Sequence, residues 1–319
     1  MAFALRNERE RIEWLRSQLD RPHPHVCVGI GDDAAVLEPF AGAPVLSVDA
    51  AVEGVHFELG WLAPHDVGWR AVAAATSDLA AMGARPRAAL LALALPIGLE
   101  EARFEALVRG ADEAARAHGL VLVGGNLARA DRLSVTTTVV GELHGPPLLR
   151  SGARPGDVIG VVGVLGAAAL GLELLRTGRA AEAFGRPFVE AFARPRAAIE
   201  AGLALAGRAR SAIDVSDGFY TDLDRLAHAS GVSVHVDVDA LPRLPDHDAV
   251  ARAVGRDPLE VLLGGGEDYA LIYTSAPEHA RELPGVLVGH CLPLGEPSRL
   301  VDRHGRSIDR RPEGFDHFR

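Results

Sequence analysis

The sequence predicts a two-domain protein of mixed α/β (α+β) class. Short β-rich runs alternate with long Ala/Leu-rich runs, the pattern of layered sheets and helices. At 319 residues, 48% hydrophobic and 24% charged, the chain is long enough for two separate cores. Midway the texture breaks into His144-Gly145-Pro146-Pro147 and then Ser151-Gly152-Ala153-Arg154-Pro155-Gly156, a run of turn-formers that marks a boundary. We therefore expect one domain over residues 1–148 and a second over 149–319.

In the first half, Val45 to Val48 reads as a strand delivering Asp49 at its end. A helix is expected from Asp66, as N-cap, to Met82, with Gly83 just beyond it and Pro86 closing it, so that Asp78 falls in its last turns. A second helix spans Glu100 to His118 and ends at Gly119. Leu120 to Val123 follows as a buried strand stopping at Gly124-Gly125-Asn126, and Leu133 to Gly141 is β-branched almost throughout. The second half restarts with a strand from Asp157 to Val162, a glycine turn over Gly163 to Gly166, and a helix to Thr177. Then come a helix from Arg196 to Gly207, a strand from Ala212 to Val215, and a helix from Gly218 to Ala229 opened by Ser216 or Asp217. Strands from Val232 to Val238 and Tyr269 to Thr274 complete the reading.

All 33 basic residues are arginine. The absence of lysine excludes a P-loop, a protein-kinase catalytic strand and Schiff-base chemistry, each of which needs a lysine amine. Polyphosphate must then be neutralised by arginine or by metal. A net charge of −10 argues against nucleic acid or an anionic membrane as partner. Cys27 and Cys291 lie far apart, so neither a disulfide framework nor a structural zinc site is indicated. The longest apolar runs, Ala88 to Leu95 and Val158 to Leu172, are too short or too interrupted to span a membrane. The charged first twenty residues do not read as a signal peptide. The expected location is the cytosol.

The chemistry lies in carboxylates flanked by glycine and serine. Gly29-Ile30-Gly31-Asp32-Asp33-Ala34 nominally matches a dinucleotide fingerprint, yet two carboxylates occupy the turn where a pyrophosphate would meet bare N–H groups. Asp32 and Asp33 read either as cation ligands or as a solvated acidic turn. Asp49 at a strand end and Asp78 in an alanine-rich helix read as carboxylates withdrawn from water, which metal binding would stabilise. The same holds for Asp214 and Asp217 in Ile213-Asp214-Val215-Ser216-Asp217-Gly218, where Ser216 reads as a helix cap or a phosphate donor. Gly264-Gly265-Gly266-Glu267-Asp268 lets backbone approach a ligand while presenting Glu267. His56 reads as a ligand contact or a structural histidine. Gly160, Gly163 and Gly166 resemble a phosphate turn or ordinary strand-turn-helix packing, and His23 and His25 are assigned no role.

Taken in order, these motifs resemble the thiamine-monophosphate kinase family, in the superfamily that contains aminoimidazole ribonucleotide synthetase. The resemblance runs from Gly29–Asp33 through Ser47-Val48-Asp49, Glu53–Phe57, Ser77–Ala84, Gly124-Gly125-Asn126, Arg150–Ala153, Ile213–Gly218 and Gly264–Tyr269 to Gly314–Phe318, nearly the whole chain. It implies phosphorylation of thiamine phosphate by ATP with several Mg2+ ions. By position, Asp33, Ser47, Asp49, Asp78, Asn126, Asp214 and Asp217 correspond to metal-site residues. Gly125, Asn126, Arg150 and Ser216 correspond to ATP contacts, and His56, Glu267 and Phe315 to substrate contacts. The implied fold is an N-terminal ATP- and Mg-binding domain whose sheet forms a barrel across a homodimer, followed by an α/β domain. Two positions depart from the family: Asn126 stands where it often has aspartate, and Val48 where it often has threonine. Three alternatives remain: a related ATP-dependent synthetase, a nucleotide-binding homologue with reduced transfer, and a two-metal phosphohydrolase. Among the synthetases, the selenium enzyme is disfavoured by the missing lysine and the hydrogenase maturation protein by the missing C-terminal cysteine.

Overall fold

The computed structural model describes residues 7–182, 184–309 and 312. The chain divides into two compact units, one from residues up to Leu79 together with Arg85–His144, the other from Ala80–Ala84 together with residues from Gly145 onward. The division falls at His144/Gly145 and places the short Ala80–Ala84 segment with the second unit, which a linear reading of the sequence does not represent.

The first unit opens with α1 (Glu8–Leu19), fixed by a capping box in which the Asn7 side chain accepts from Glu10 N–H at 3.0 Å and Glu10 Oε2 from Asn7 N–H at 2.8 Å. A small antiparallel pair, β1 (Val26–Val28) and β2 (Val36–Leu37), follows. Next come β3 (Ala43–Val52), α2 (Pro64–Ala81), β4 (Arg85–Pro96), α3 (Glu101–Ala117), β5 (Val121–Ala130) and β6 (Ser134–Leu143). The four longer strands form an open sheet in the order β3-β6-β4-β5, antiparallel except for β4 with β5. Along β6 the buried residues Val135, Thr137 and Val139 alternate with half-buried neighbours, so one face is covered and the other is not. Leu79 of α2 packs on β6 at Gly141, where an added Cβ would lie 2.9 Å from its Cδ2. The helices themselves cross closely: a Cβ on Gly68 would fall 1.9 Å from the Leu107 carbonyl oxygen, and one on Gly110 1.8 Å from that of His65. The other face exposes Leu46 (67%) and Val48 (62%) on β3 and Leu90 on β4, with Val48 and Leu90 both paired to Thr138.

The second unit contains β7 (Val158–Val162), α4 (Ala167–Arg176), α5 (Arg186–Ala193), α6 (Ile199–Leu205), β8 (Ser211–Asp214), α7 (Phe219–Ser230) and β9 (Val232–Asp237). It continues with α8 (His247–Ala253), α9 (Pro258–Gly264), β10 (Leu271–Ser275), β11 (Val286–Pro293) and β12 (Arg299–Val301). Its sheet runs β12-β9-β11-β7-β10-β8, antiparallel apart from β12 with β9. Ile159, Val161, Ile213, Val234, Val236 and Ile272 pack with Phe219, Leu223 and Leu226 of α7 into one core. A second core joins α4, α5, α8 and α9 through Leu170, Leu174, Phe188, Val250 and Val261.

The structure revises several sequence expectations. β3 does not end before Asp49 but continues to Val52, and β5 does not stop at Gly124 but runs through Asn126 to Ala130. α2 begins at Pro64, putting Asp66 in its first turn rather than at its cap. The N-cap of α7 is Gly218, with no side-chain cap bond, so neither Ser216 nor Asp217 opens that helix. Among the described residues no helix is long and apolar enough to cross a membrane.

Candidate active site

Ser47 and Asp49 are two residues apart on β3 and share a face, while Val48 points to the other. Register sets Ser47 against Val139 and Asp49 against Thr137. Asp78, near the end of α2, reaches the strand, and Ser47 Oγ donates to its Oδ2. Asp49 is exposed on edge strand β3, and its Oδ1 accepts from Ala50 N–H at 2.8 Å. The expectation of a withdrawn carboxylate therefore holds for half-buried Asp78 and not for Asp49. Asp33 lies in the exposed β1–β2 connection, where its N–H donates to Asp32 Oδ1 at 2.8 Å. Asn126 is exposed in mid-strand, level with Ala92. It follows Gly125, whose φ of 154° and closeness to β4 exclude other residues: a Cβ there would fall 1.8 Å from the Leu91 carbonyl oxygen. His56 is half-buried and closes the turn after β3, its Nδ1 accepting from Val52 N–H at 3.1 Å.

In the second unit the chain leaves β8 at buried Asp214 and turns through Val215–Gly218 into α7. The Gly264–Tyr269 segment is laced to this turn: Glu267 N–H donates to the Ser216 carbonyl at 2.8 Å, Tyr269 N–H to that of Val215 at 3.0 Å, and Val215 N–H to that of Ala270 at 2.8 Å. Gly218 and Gly266 permit the approach, since a Cβ on the first would meet Gly264 backbone at 2.8 Å and one on the second the Ser216 carbonyl oxygen at 2.3 Å. Glu267 (φ 65°) and Tyr269 (φ 50°) are both left-handed, a conformation that costs a non-glycine residue about 1 kcal/mol or more. Asp268 between them anchors the segment. Its carboxylate enters the N-terminus of α4 and accepts from Gly166 N–H at 2.6 Å and Ala168 N–H at 2.9 Å. The glycine turn that resembles a phosphate loop thus holds a carboxylate of its own chain. Burial pushes the Asp268 carboxyl up to about 7, against the pull of the Ala168, Gly166 and Ala167 N–H groups and with the help of the Glu267 charge.

A second network shapes the same turn from inside. Asp222, 1% exposed, accepts through Oδ2 from the N–H groups of Ser216 (3.1 Å), Asp217 (3.0 Å) and Gly218 (3.2 Å). Arg225 Nη1 reaches Asp222 Oδ1 at 2.7 Å and also Asp217 Oδ2. Burial pushes the Asp222 carboxyl upward, opposed by the Asp217 N–H and by Arg225 and aided by the Asp217 charge. Sequence reasoning assigned no role to Asp222 or Arg225. The available signal was an acid in the first turn of α7, where helix N–H groups lack partners. Arg150 is exposed, its carbonyl accepting from the Ser230 hydroxyl at 3.1 Å. Phe315 lies outside the described residues.

The donor set is one of hard oxygens, which suits Mg2+. In the first unit, the Thr137 hydroxyl, in register with Asp49, is buried and has no hydrogen-bond partner among the described residues. No three His, Cys, Asp or Glu side chains among the described residues form a ready cage. A Mg2+ ion held through one or two carboxylates, waters and substrate phosphates needs none. The residues present fit such an ion.

A family profile described as AIR synthase related protein, N-terminal domain, matches residues 31–143, and its C-terminal counterpart matches residues 154–298. The chain is 41% identical over 253 residues to the thiamine-monophosphate kinase of Mycobacterium tuberculosis, covering 77% of this chain and 74% of that one. It is 34% identical to the Bacillus subtilis thiamine-monophosphate kinase over 93% of this chain and 95% of the relative. The solved structure of AaThiL complexed with AMPPCP and TMP superposes with a TM-score of 0.80 at 31% identity, covering 99% of this chain and 100% of that one.

Proposed function

Because the chain belongs to the AIR synthase related family, and within it to the thiamine-monophosphate kinases, we infer that it transfers the γ-phosphoryl group of ATP to thiamine phosphate, giving thiamine diphosphate and ADP. The observation that carries this reading is the end-to-end likeness to these kinases, including a relative solved with AMPPCP, an ATP analogue whose β,γ bridge resists transfer, and TMP.

The acceptor is a phosphate oxygen, already anionic at neutral pH. No strong general base is needed, and catalysis reduces to alignment and neutralisation of charge. Without lysine, the chain has arginine and metal for that task. We assign Asp33, Ser47, Asp49, Asp78 and Asn126 of the first unit, and Asp214 and Asp217 of the second, to holding Mg2+. Bound Mg2+ supplies charge neutralisation on the transferring phosphoryl group. Gly125, Asn126, Arg150 and Ser216 are assigned to ATP, and His56, Glu267 and Phe315 to thiamine phosphate. The backbone bond from Glu267 to Ser216 supports this, because it ties the acceptor side to the nucleotide side within one unit. Residues 1–148 then act as the ATP- and Mg-binding and dimerisation domain and 149–319 as the α/β domain. The exposed Leu46, Val48 and Leu90 face supports a homodimer closing a barrel across two copies. The reaction is placed in the cytosol, with nucleic acid and membrane having no part.

With excess Mg2+ and ATP, the purified protein is expected to convert thiamine phosphate and to leave free thiamine untouched. Phosphorylation of free thiamine, or no thiamine diphosphate, contradicts the reading.

A further inference from the structure

We propose that Arg225 is a counter-ion built into the site: it holds Asp217 in the cation-free protein and surrenders it to a divalent cation, so that it sets the cation concentration at which this part of the site fills. The proposal rests on the assignment of Asp217 as a cation ligand. One nitrogen, Nη1, serves two carboxylates, Asp222 Oδ1 at 2.7 Å and Asp217 Oδ2. The two partners are unequal. The Asp222 side chain is 1% exposed and its second oxygen is committed to three backbone N–H groups, so its position is fixed. Asp217 is 24% exposed, and the Arg225 side chain itself 44%.

An ion pair this open to water is weak, whereas a carboxylate binds a dication as a direct ligand. When the pair opens, Arg225 keeps its bond to Asp222 and stays beside the site. Asp217 is the group released. Asp214, Asp217 and Asp222 place three carboxylates within nine residues of sequence, and Arg225 offsets their mutual repulsion until a cation does so. The turn meanwhile keeps its shape, because Asp222 holds the backbone and not the Asp217 side chain.

The test is binding of Mn2+, followed by paramagnetic resonance on the full-length protein without nucleotide, with melting curves to establish folding. Arg225→Gln and Arg225→Met, which remove the competing charge, are expected to tighten Mn2+ binding by about two- to fivefold, the range of an exposed ion pair. Arg225→Lys keeps the charge and is expected to bind as the wild type does. Asp217→Asn is expected to lose a bound ion. Unchanged or weaker binding in both neutral Arg225 variants overturns the counter-ion role while leaving the ligand assignment standing, provided Asp217→Asn has lost its ion. If Asp217→Asn binds Mn2+ as the wild type does, the ligand assignment fails and the proposal with it.

Discussion

Asp78 is held against β3 by Ser47 Oγ, and Asp49 stands two positions further along that strand. If these carboxylates neutralise phosphate charge, Asp78→Ala is expected to lower turnover about a hundredfold, the ~3 kcal/mol typical of lost transition-state stabilisation. The melting temperature should move less than the rate, since a side-chain hydrogen bond such as the one from Ser47 is worth about 1 kcal/mol. Near-normal turnover at saturating Mg2+ contradicts the assignment. Asn126 calls for a titration. Asn126→Asp adds a charge at an exposed mid-strand position and is expected to lower the Mg2+ concentration for half-maximal rate, with Asn126→Ala raising it. Superimposed curves mean that the site is built without Asn126. The acidic clusters were legible in the sequence because carboxylates among alanine and glycine stand out. Asp222 and the anchoring role of Asp268 were not, because accepting backbone N–H groups depends on how loops fold rather than on spacing between residues.

The acidic turn after β8 owes its shape to segments that meet it from elsewhere in the chain. Gly266→Ala would set a Cβ 2.3 Å from the Ser216 carbonyl oxygen, so the Gly264–Tyr269 segment must shift. We expect a weaker apparent affinity for thiamine phosphate and a lower melting temperature; unchanged kinetics would mean that Glu267 is not positioned by this contact. The cap on α4 has a pH signature. Asp268 has a folded value of about 7. The unfolded carboxyl titrates near ~4. The folded state therefore binds this proton more tightly, and stability falls as pH rises between those values. Comparing wild type with Asp268→Asn from pH 4 to 8 should show a flatter decline in the variant, although Asn caps less well and melts lower throughout. Parallel curves in the two proteins contradict the shift. In the first unit β3, α2, α3, β5 and β6 were legible in the sequence, whereas α1, β1, β2 and β4 were not, and the end of β5 was misread. Gly124-Gly125 looks like a stop, whereas Gly125 permits the close approach that lets the strand continue beside β4. In the second unit α5, α8, α9, β11 and β12 have eight residues or fewer, shorter than the window over which periodicity marks an element in a sequence.

At the scale of the molecule, Leu46 and Val48 on edge strand β3, with Leu90 on β4 across Thr138 from Val48, are costly to leave in water. We expect a dimer in sedimentation, and a shift to monomer with Val48→Glu and Leu90→Glu combined; a monomeric wild type contradicts the assigned dimer. The mixed α/β class was legible from the alternation of runs, and the Gly/Pro break near His144 is visible in composition. The allotment of Ala80–Ala84 to the second unit was not, because it depends on contacts formed after folding. The central claim is direct phosphoryl transfer between two phosphates. ATP labelled in its γ-phosphate, incubated with the protein, Mg2+ and thiamine phosphate, tests it most directly. The account predicts that label appears in the terminal phosphate of thiamine diphosphate, one for each ADP formed. Label released as inorganic phosphate, with ADP accumulating but no thiamine diphosphate, would contradict it.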